Sequence, residues 1–506
     1  MRLLFLTLCV FLVPLPTFCG IKPLAGHFEP EPEPTDILLE PRSNVDAEGP
    51  HTESIQLQLH EDNTLTQDLP DMEDDDYLDF NSLFAEDDDD YIDTIDEIEE
   101  PVTDAQLEPL DPVARRAKLL KLFHGRTRIQ RLNMVNGNFA FGLYRSIRNE
   151  VGPLENILLA PVGISTTLGM VSLGARGETH HQLFHALGFA DFVNASVKYD
   201  TMTVHNLFRR LTHRLFRHNF GYILRGVNGL FVRQGSQVLG NFTHSMKTYY
   251  FAEAQSVNFS NPALVGKINQ RIQKLTQGLI KEAVDTLDPH TLIMILNCLY
   301  LKGNWATKFL NERTYKGAFW LNEKDSVRVP MMQTRGNFPQ VSDHKLECDV
   351  LQLPYVGNVS MLIVLPHKFS AMKTIEKQLT SEVVISWLKS MTNRTIKVVL
   401  PRFNLVKQYD LVPYFKTLGL SLPFEQTANF TGISTQDNLV INMFQHQGSI
   451  TVNEEGTTAE SVTTVGFMPL SSQNEFAARR PFLFLIYEHR TECLLFMGRV
   501  TNPLKN

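Results

Sequence analysis

The chain has 506 residues, 43% of them hydrophobic, and a formal net charge of −9, which is enough for a large core with appendages. The charge is unevenly placed: residues 23–114 hold 30 acidic residues and one basic residue, Arg42, whereas residues 115–506 hold 26 acidic and 44 basic residues. An acidic arm joined to a basic body invites contact between the two, or with partners of each sign; no apolar run after the N-terminus approaches the ~20 residues a helical span needs, so no membrane partner is expected.

Met1–Gly20 has Arg2, the apolar run Leu3–Val13, then Pro14, Pro16 and small residues near Cys19. This reads as a secretory signal peptide, residues 1–19, and the protein is expected to be exported. Residues 20–118 are then expected to form a disordered acidic arm, since Pro and Glu dominate its first part and aromatics are few. Two related blocks follow, EDDDYLD at 73–79 and EDDDDYID at 86–93. Each sets a Tyr and an aliphatic residue among carboxylates, which suits a segment that folds onto a basic, partly apolar groove. Tyr77 and Tyr91 are flanked by acids and are expected sulfation sites. Three cysteines remain after the signal, Cys298, Cys348 and Cys493. They are too few for a disulfide framework, and Cys298 and Cys493 lie in apolar runs that suggest buried free thiols.

The folded body is expected over residues 119–506. Asn133–Ile147 predicts an amphipathic helix, with Phe139, Leu143 and Ile147 spaced by four. Ile157–Leu159 predicts a short strand, Pro161–Gly174 a buried helix opened by Pro, and Glu178–Leu187 a helix stopped by Gly188. Thr203–Arg217 predicts a further helix, with Leu207, Leu211 and Leu215 on one face and Arg210, Arg214 and Arg217 on another. No acidic residue lies between Asp200 and Glu253. Stacked guanidiniums without carboxylate partners point to a polyanion or sulfate site, because Arg grips such groups through two donors. Arg209 flanks that face and Lys198 lies just upstream. In an exported protein a sulfated polysaccharide, or the chain's own acidic arm, fits better than nucleic acid.

Strands are predicted at Leu230–Arg233, Met294–Leu301, Met361–Leu365, Thr395–Leu400 and Leu439–Met443. Helices are predicted at Pro262–Gln277, Met372–Leu379 and Leu411–Leu418, the last ended by Gly419. The mixture lacks βαβ regularity, so the fold class is α+β. The chain is organised around residues 446–480. A strand-like run, Ser449–Asn453, leads into Gly456–Val465, where nine of ten residues are Gly, Thr, Ala, Ser or Val. Thr457, Ala459, Ser461 and Thr463 fall on one side of an extended chain, and the one charge, Glu460, falls on the other. Such a segment can be a loop in one state and a strand in another. The apolar strand Pro481–Tyr487 follows.

No nucleophile elbow, P-loop, dinucleotide fingerprint or zinc-spaced cluster is present, so no catalytic residue and no cofactor are expected. His180, His181 and His185 share a helix without a carboxylate or cysteine to complete a metal site. Glycosylation sequons occur at Asn194, Asn241, Asn258, Asn358, Asn393 and Asn429. Asn194 and Asn393 sit in polar stretches, and Asn258, after a strand-like run, is expected to be poorly accessible.

Several stretches together resemble the serpin family: Ala160–Thr166 (APVGIST), Gly174–Thr179 (GARGET), Asn297–Trp305 (NCLYLKGNW), Val452–Thr457 (VNEEGT), Arg480–Ile486 (RPFLFLI), Pro401–Phe403 (PRF) and Phe496–Val500 (FMGRV). They occur in the family's order over residues 119–506. The resemblance implies a fold of large mixed sheets with about nine helices and an exposed reactive-centre loop. It implies a monomeric, secreted plasma inhibitor that forms an irreversible complex with a serine protease. It places the hinge on Glu454, Glu455, Gly456, Thr457, Thr458, Ala459, Glu460, Ser461 and Val462, and the cleaved bond at Leu470–Ser471. Within the family, the paired tyrosine blocks, the arginine helix and that bond resemble the glycosaminoglycan-activated thrombin inhibitors. That likeness implies a heparin or dermatan sulfate site on Lys198, Arg209, Arg210, Arg214 and Arg217, with His218 where a further base is expected. It also implies that the freed acidic arm engages a basic exosite on thrombin. Two alternatives remain: an inhibitor of chymotrypsin-like proteases alone, as Leu470 suggests, and a non-inhibitory binding protein, whose hinge would carry Pro or bulky charges on its inward side.

Overall fold

The spacing of Thr127 and Gln130 starts the longest helix described. Thr127 Oγ1 accepts from the Gln130 N–H at 3.3 Å, and Gln130 Oε1 accepts from the Thr127 N–H at 3.0 Å. This reciprocal cap sets the helix five residues ahead of the start predicted from its apolar spacing. The computed structural model describes residues 112–196, 198–216, 221–435, 438–454 and 474–506. Residues 1–111, which hold the signal segment, most of the acidic arm and Tyr77 and Tyr91, lie outside the described residues, as do Arg217 and His218.

Eleven α-helices are described: α1 (Pro112–Phe123), α2 (Arg128–Glu150), α3 (Pro161–Ser172), α4 (Gly177–Ala186), α5 (Phe189–Val193), α6 (Thr201–Phe216), α7 (Gly240–Tyr250), α8 (Leu264–Leu275), α9 (Ala371–Gln378), α10 (Ser381–Ser390) and α11 (Val412–Thr417). The first begins seven residues before the expected start of the body at Leu119. The stop expected at Gly188 is present, with φ +74°, a value that glycine adopts without strain.

Two sheets carry the fold. The five-stranded sheet runs β10 (Phe403–Asp410), β11 (Ile441–Val452), β4 (Ile293–Gly303), β2 (Tyr222–Arg233), β3 (Ala254–Val257). The nine-stranded sheet runs β1 (Ile157–Leu159), β14 (Cys493–Val500), β13 (Phe482–Glu488), β8 (Val359–Pro366), β7 (Cys348–Pro354), β6 (Ser326–Asp343), β9 (Thr392–Pro401), β12 (Glu475–Ala477), with β5 (Tyr315–Trp320) added on β6. The α+β class and the mixed sheets agree with the reading of the sequence. The runs at Leu439–Met443 and Ser449–Asn453 prove to be parts of one strand, β11. Its interior, FQHQGS, is polar and broke the apolar signal.

The central strand β4 is buried from Ile293 to Leu301. One face meets the main core, and the other meets α8, whose Leu264, Ile268 and Ile272 pack with Phe231, Leu296 and Cys298. A strand covered on both faces reads as an unbroken apolar run rather than an alternation. Strand β6 carries Pro330, Gly336 and Pro339, which read as breakers in sequence. It survives because it changes partner along its length, pairing in turn with β5, β9 and β7.

A buried charge cluster ties α2, α9 and β14 together. Tyr144 donates to Glu376 Oε1 at 2.7 Å, Arg499 Nη1 donates to the same oxygen at 3.0 Å, and Arg148 Nη1 lies 3.5 Å from Oε2. Arg499 also donates to the carbonyls of Gly152 and Glu155. Glu376→Ala would leave Arg499 buried without a counter-charge and should lower stability by about 3–5 kcal/mol. Urea unfolding of the variant measures this; a loss below about 1 kcal/mol would contradict it.

Candidate functional site

Strand β11 ends at Val452 in the five-stranded sheet, and β12 begins at Glu475 in the other sheet. The chain between them therefore passes from one sheet to the other. Its residues Glu455, Gly456, Thr457, Thr458, Ala459, Glu460, Ser461 and Val462 and the bond Leu470–Ser471 lie outside the described residues. The first expected hinge residue, Glu454, is described and is a fixed point. It is buried, and Oε1 accepts from Arg402 Nη2 at 2.6 Å and from the Thr314 hydroxyl at 2.7 Å. Burial would push its carboxyl pKa up, but the Arg402 and Thr314 hydrogen bonds prevail and hold it below the usual range. One residue earlier, Trp305 Nε1 donates to the Asn453 carbonyl at 2.8 Å, with the indole stacked on Tyr355 at 4.3 Å. The far end is tied as well: Lys397 N–H donates to the Asn474 carbonyl at 3.0 Å, and β12 runs parallel to β9.

Beneath the departure point, β11 lies parallel to β4, with Phe444 opposite Ile295 and Ile450 opposite Leu301. Midway along this seam is a polar knot that the sequence reading did not assign. His446 Nδ1–H donates to Asn297 Oδ1 at 2.8 Å, and His446 Nε2 accepts from the Ala160 N–H at 3.1 Å. Asn297 Nδ2 in turn donates to Asn228 Oδ1 at 2.6 Å. The knot thus links β11, β4, β2 and the start of α3. Both ring nitrogens are used by a neutral imidazole, and burial alone lowers the His446 pKa to about 3. Gly163 makes room for it: a Cβ there would lie 2.5 Å from the Asn297 amide. Asn297 and Trp305 belong to the NCLYLKGNW stretch and Gly163 to APVGIST, so the signal was present in sequence, although pairing across the seam was not.

The predicted basic helix is α6. Leu207, Leu211 and Leu215 are buried as expected, and Lys198, Arg209 and Arg210 are exposed. Asp200 caps the helix, its Oδ1 accepting from the Thr203 N–H at 2.7 Å. The expectation that the arginines lack carboxylate partners fails at Arg214. Its Nε lies 3.8 Å from Glu488 Oε2, on a residue 274 positions later that the fold brings against α6.

Asn194, Asn241, Asn393 and Asn429 are exposed, and Asn358 is half-buried. Asn258 is also exposed, contrary to expectation, because the chain turns there and its Oδ1 accepts from the Ser260 N–H at 3.0 Å. The three cysteines are free and buried, and burial pushes their thiols up. His180 stacks on Phe184 at 4.3 Å and His181 faces Glu178 at 3.5 Å. Among the described residues no group of three or more His, Cys, Asp or Glu stands together as a metal site, and no helix is long and apolar enough to cross a membrane.

A family model described as Serpin (serine protease inhibitor) matches residues 134–503. Heparin cofactor 2 of Homo sapiens is 55% identical over 450 residues, covering 88% of this chain and 88% of that protein. Heparin cofactor 2 of Rattus norvegicus is 54% identical over 450 residues, covering 88% and 92%. The crystal structure of mouse protein-Z dependent protease inhibitor superposes with a TM-score of 0.68 at 29% identity, covering 76% of this chain and 99% of that one. Uncleaved ovalbumin superposes with a TM-score of 0.68 at 27% identity, covering 74% and 100%.

The seam has a pH signature. The unfolded chain takes up a proton at His446 below about pH 6.5, whereas the native protein resists until about pH 3. Native stability is therefore complete above pH 6.5 and falls between those values, by at most about 1.4 kcal/mol per pH unit from this group. Replacing His446 by Gln removes that contribution. The thermal midpoint of the native protein should fall less steeply from pH 7 to pH 4.5 in His446→Gln than in the parent; equal slopes would contradict the assignment.

Proposed function

The chain belongs to the serpin (serine protease inhibitor) family, and we propose that it is a secreted suicide inhibitor of thrombin whose rate is raised by heparin or dermatan sulfate. The observation that carries this reading is the 55% identity to a heparin cofactor over most of both chains, together with the exposed basic side chains of α6. In this reading the protease attacks Leu470 as it would a substrate and is acylated there, and the Leu470–Ser471 bond breaks. The freed segment folds back from Glu454 and enters the seam between β11 and β4. Those two strands are parallel, so a chain reversing after β11 runs antiparallel to both neighbours. One parallel pair becomes two antiparallel pairs, which are slightly more stable per residue. The inward side, Thr457, Ala459, Ser461 and Thr463, is small and uncharged and slows entry least. Insertion carries the acylated protease along before water can release it.

Leu470 is a poor match to a protease pocket built for Arg. The missing recognition is supplied by the acidic arm, with sulfated Tyr77 and Tyr91, held near the body so that its second contact is intramolecular. Without polyanion the arm rests on basic surface that includes α6. A glycosaminoglycan binds Lys198, Arg209, Arg210, Arg214 and Arg217, displaces the arm and frees it for the basic exosite of thrombin. Attraction of this kind is strongly screened by salt.

Leu470 favours a second reading, inhibition of chymotrypsin-like proteases without use of the arm. Two measurements separate the readings. An SDS-resistant complex with thrombin should form much faster with dermatan sulfate than without it. Deleting residues 21–100 should abolish that acceleration for thrombin and leave the chymotrypsin rate unchanged. A thrombin rate unaffected by the deletion would contradict the role of the arm.

A further inference from the structure

Arg214 differs from the other basic residues of α6. Its side chain is only 32% exposed and turns toward the junction of β13 and β14, where Glu488 is 3% exposed. Glu488 already has three donors from its own turn. Oε1 accepts from the Arg490 N–H at 3.2 Å, and Oε2 accepts from the Thr491 N–H at 2.8 Å and from the Thr491 hydroxyl at 2.6 Å. Arg214 Nε is 3.8 Å from that same Oε2, too far for a hydrogen bond but inside the outer limit of an ion pair. It is a buried donor with no hydrogen-bond acceptor among the described residues. A buried N–H in this state is held by charge yet remains open to a better acceptor.

We propose that Glu488 is an internal competitor for the polyanion, holding Arg214 in reserve and setting the affinity of the basic helix. The proposal rests on the reading of α6 as a glycosaminoglycan site. A sulfate group offers acceptors at hydrogen-bond distance, which the turn-bound carboxylate does not. To bind it, Arg214 must give up the attraction of Glu488, and part of the binding free energy is spent on that separation. Arg209 and Arg210 are exposed on α6, whereas Arg214 is turned toward Glu488. Glu488 therefore discriminates among polyanions: a weakly sulfated chain engages the exposed bases alone, and only a group placed to offset the loss at Glu488 recruits Arg214. Thr491 adjusts the competition. Its hydroxyl occupies Oε2, and removing that donor leaves more of the oxygen's negative charge directed at Arg214.

The test is a set of dermatan sulfate and heparin titrations on the full-length protein, read by intrinsic fluorescence and by salt elution from immobilised heparin. Glu488→Gln should tighten dermatan sulfate binding by about fivefold, at the low end of ordinary coupling between sites. Thr491→Val should act in the opposite direction and weaken it. Arg214→Ala should cost more affinity in the Glu488→Gln background than in the parent. Opposite shifts in two neighbouring buried variants cannot come from general loss of structure, which would weaken binding in both. The proposal is overturned if Glu488→Gln leaves affinity unchanged and Arg214→Ala costs the same in both backgrounds. Failure of the underlying site looks different: Arg209→Ala, Arg210→Ala and Arg214→Ala would then all bind dermatan sulfate as the parent does.

Discussion

The parallel contact between β11 and β4 is the constraint on which the molecule depends. β4 is buried from Ile293 to Leu301 and β11 from His446 to Ile450, and the His446–Asn297 bond, backed by Asn228 on β2, adds a directional link to their packing. An interior joined by side-chain amides and a neutral imidazole is well determined while closed. When the strands part, His446 and Asn297 lose each other, while Asn297 keeps its bond to Asn228 on β2. In the proposed mechanism a new strand, bringing its own backbone donors and acceptors, takes the place of this contact.

The same view explains why the chain fixes both ends of the segment that crosses between the sheets. Glu454 and Asn453 are held by Arg402, Thr314 and Trp305 at one end, and Asn474 is held by Lys397 at the other. Arg402 comes from the short link between β9 and β10, which also joins the two sheets.

Much of this was legible in the sequence. The short strand Ile157–Leu159 and the buried helix opened by Pro161 lie where their patterns put them, because local propensity and burial agree there. The leucine face of α6 was equally clear. Three kinds of feature were not. Strand β11 was split because its polar centre serves the knot, and buried hydrogen-bonded residues break the apolar pattern that marks a strand. Strand β6 was missed because its prolines fall where the strand changes partner. The Arg214–Glu488 pair joins residues far apart in the chain, so the absence of acids near α6 in sequence gave a false picture of its surroundings. The capping box at Thr127 and Gln130 is written in the sequence as T-x-x-Q.

Cleavage at Leu470–Ser471 is the most direct test of strand insertion. A protease that cleaves this bond without being trapped should convert the protein to a form in which the freed segment fills the seam. Differential scanning calorimetry of the cleaved protein should then show a thermal midpoint raised by tens of degrees, as expected when a closed parallel pair is replaced by two antiparallel pairs along a full strand. A cleaved protein that melts at the temperature of the intact one would show that the segment does not enter the sheet, and the seam would lose the role given to it here.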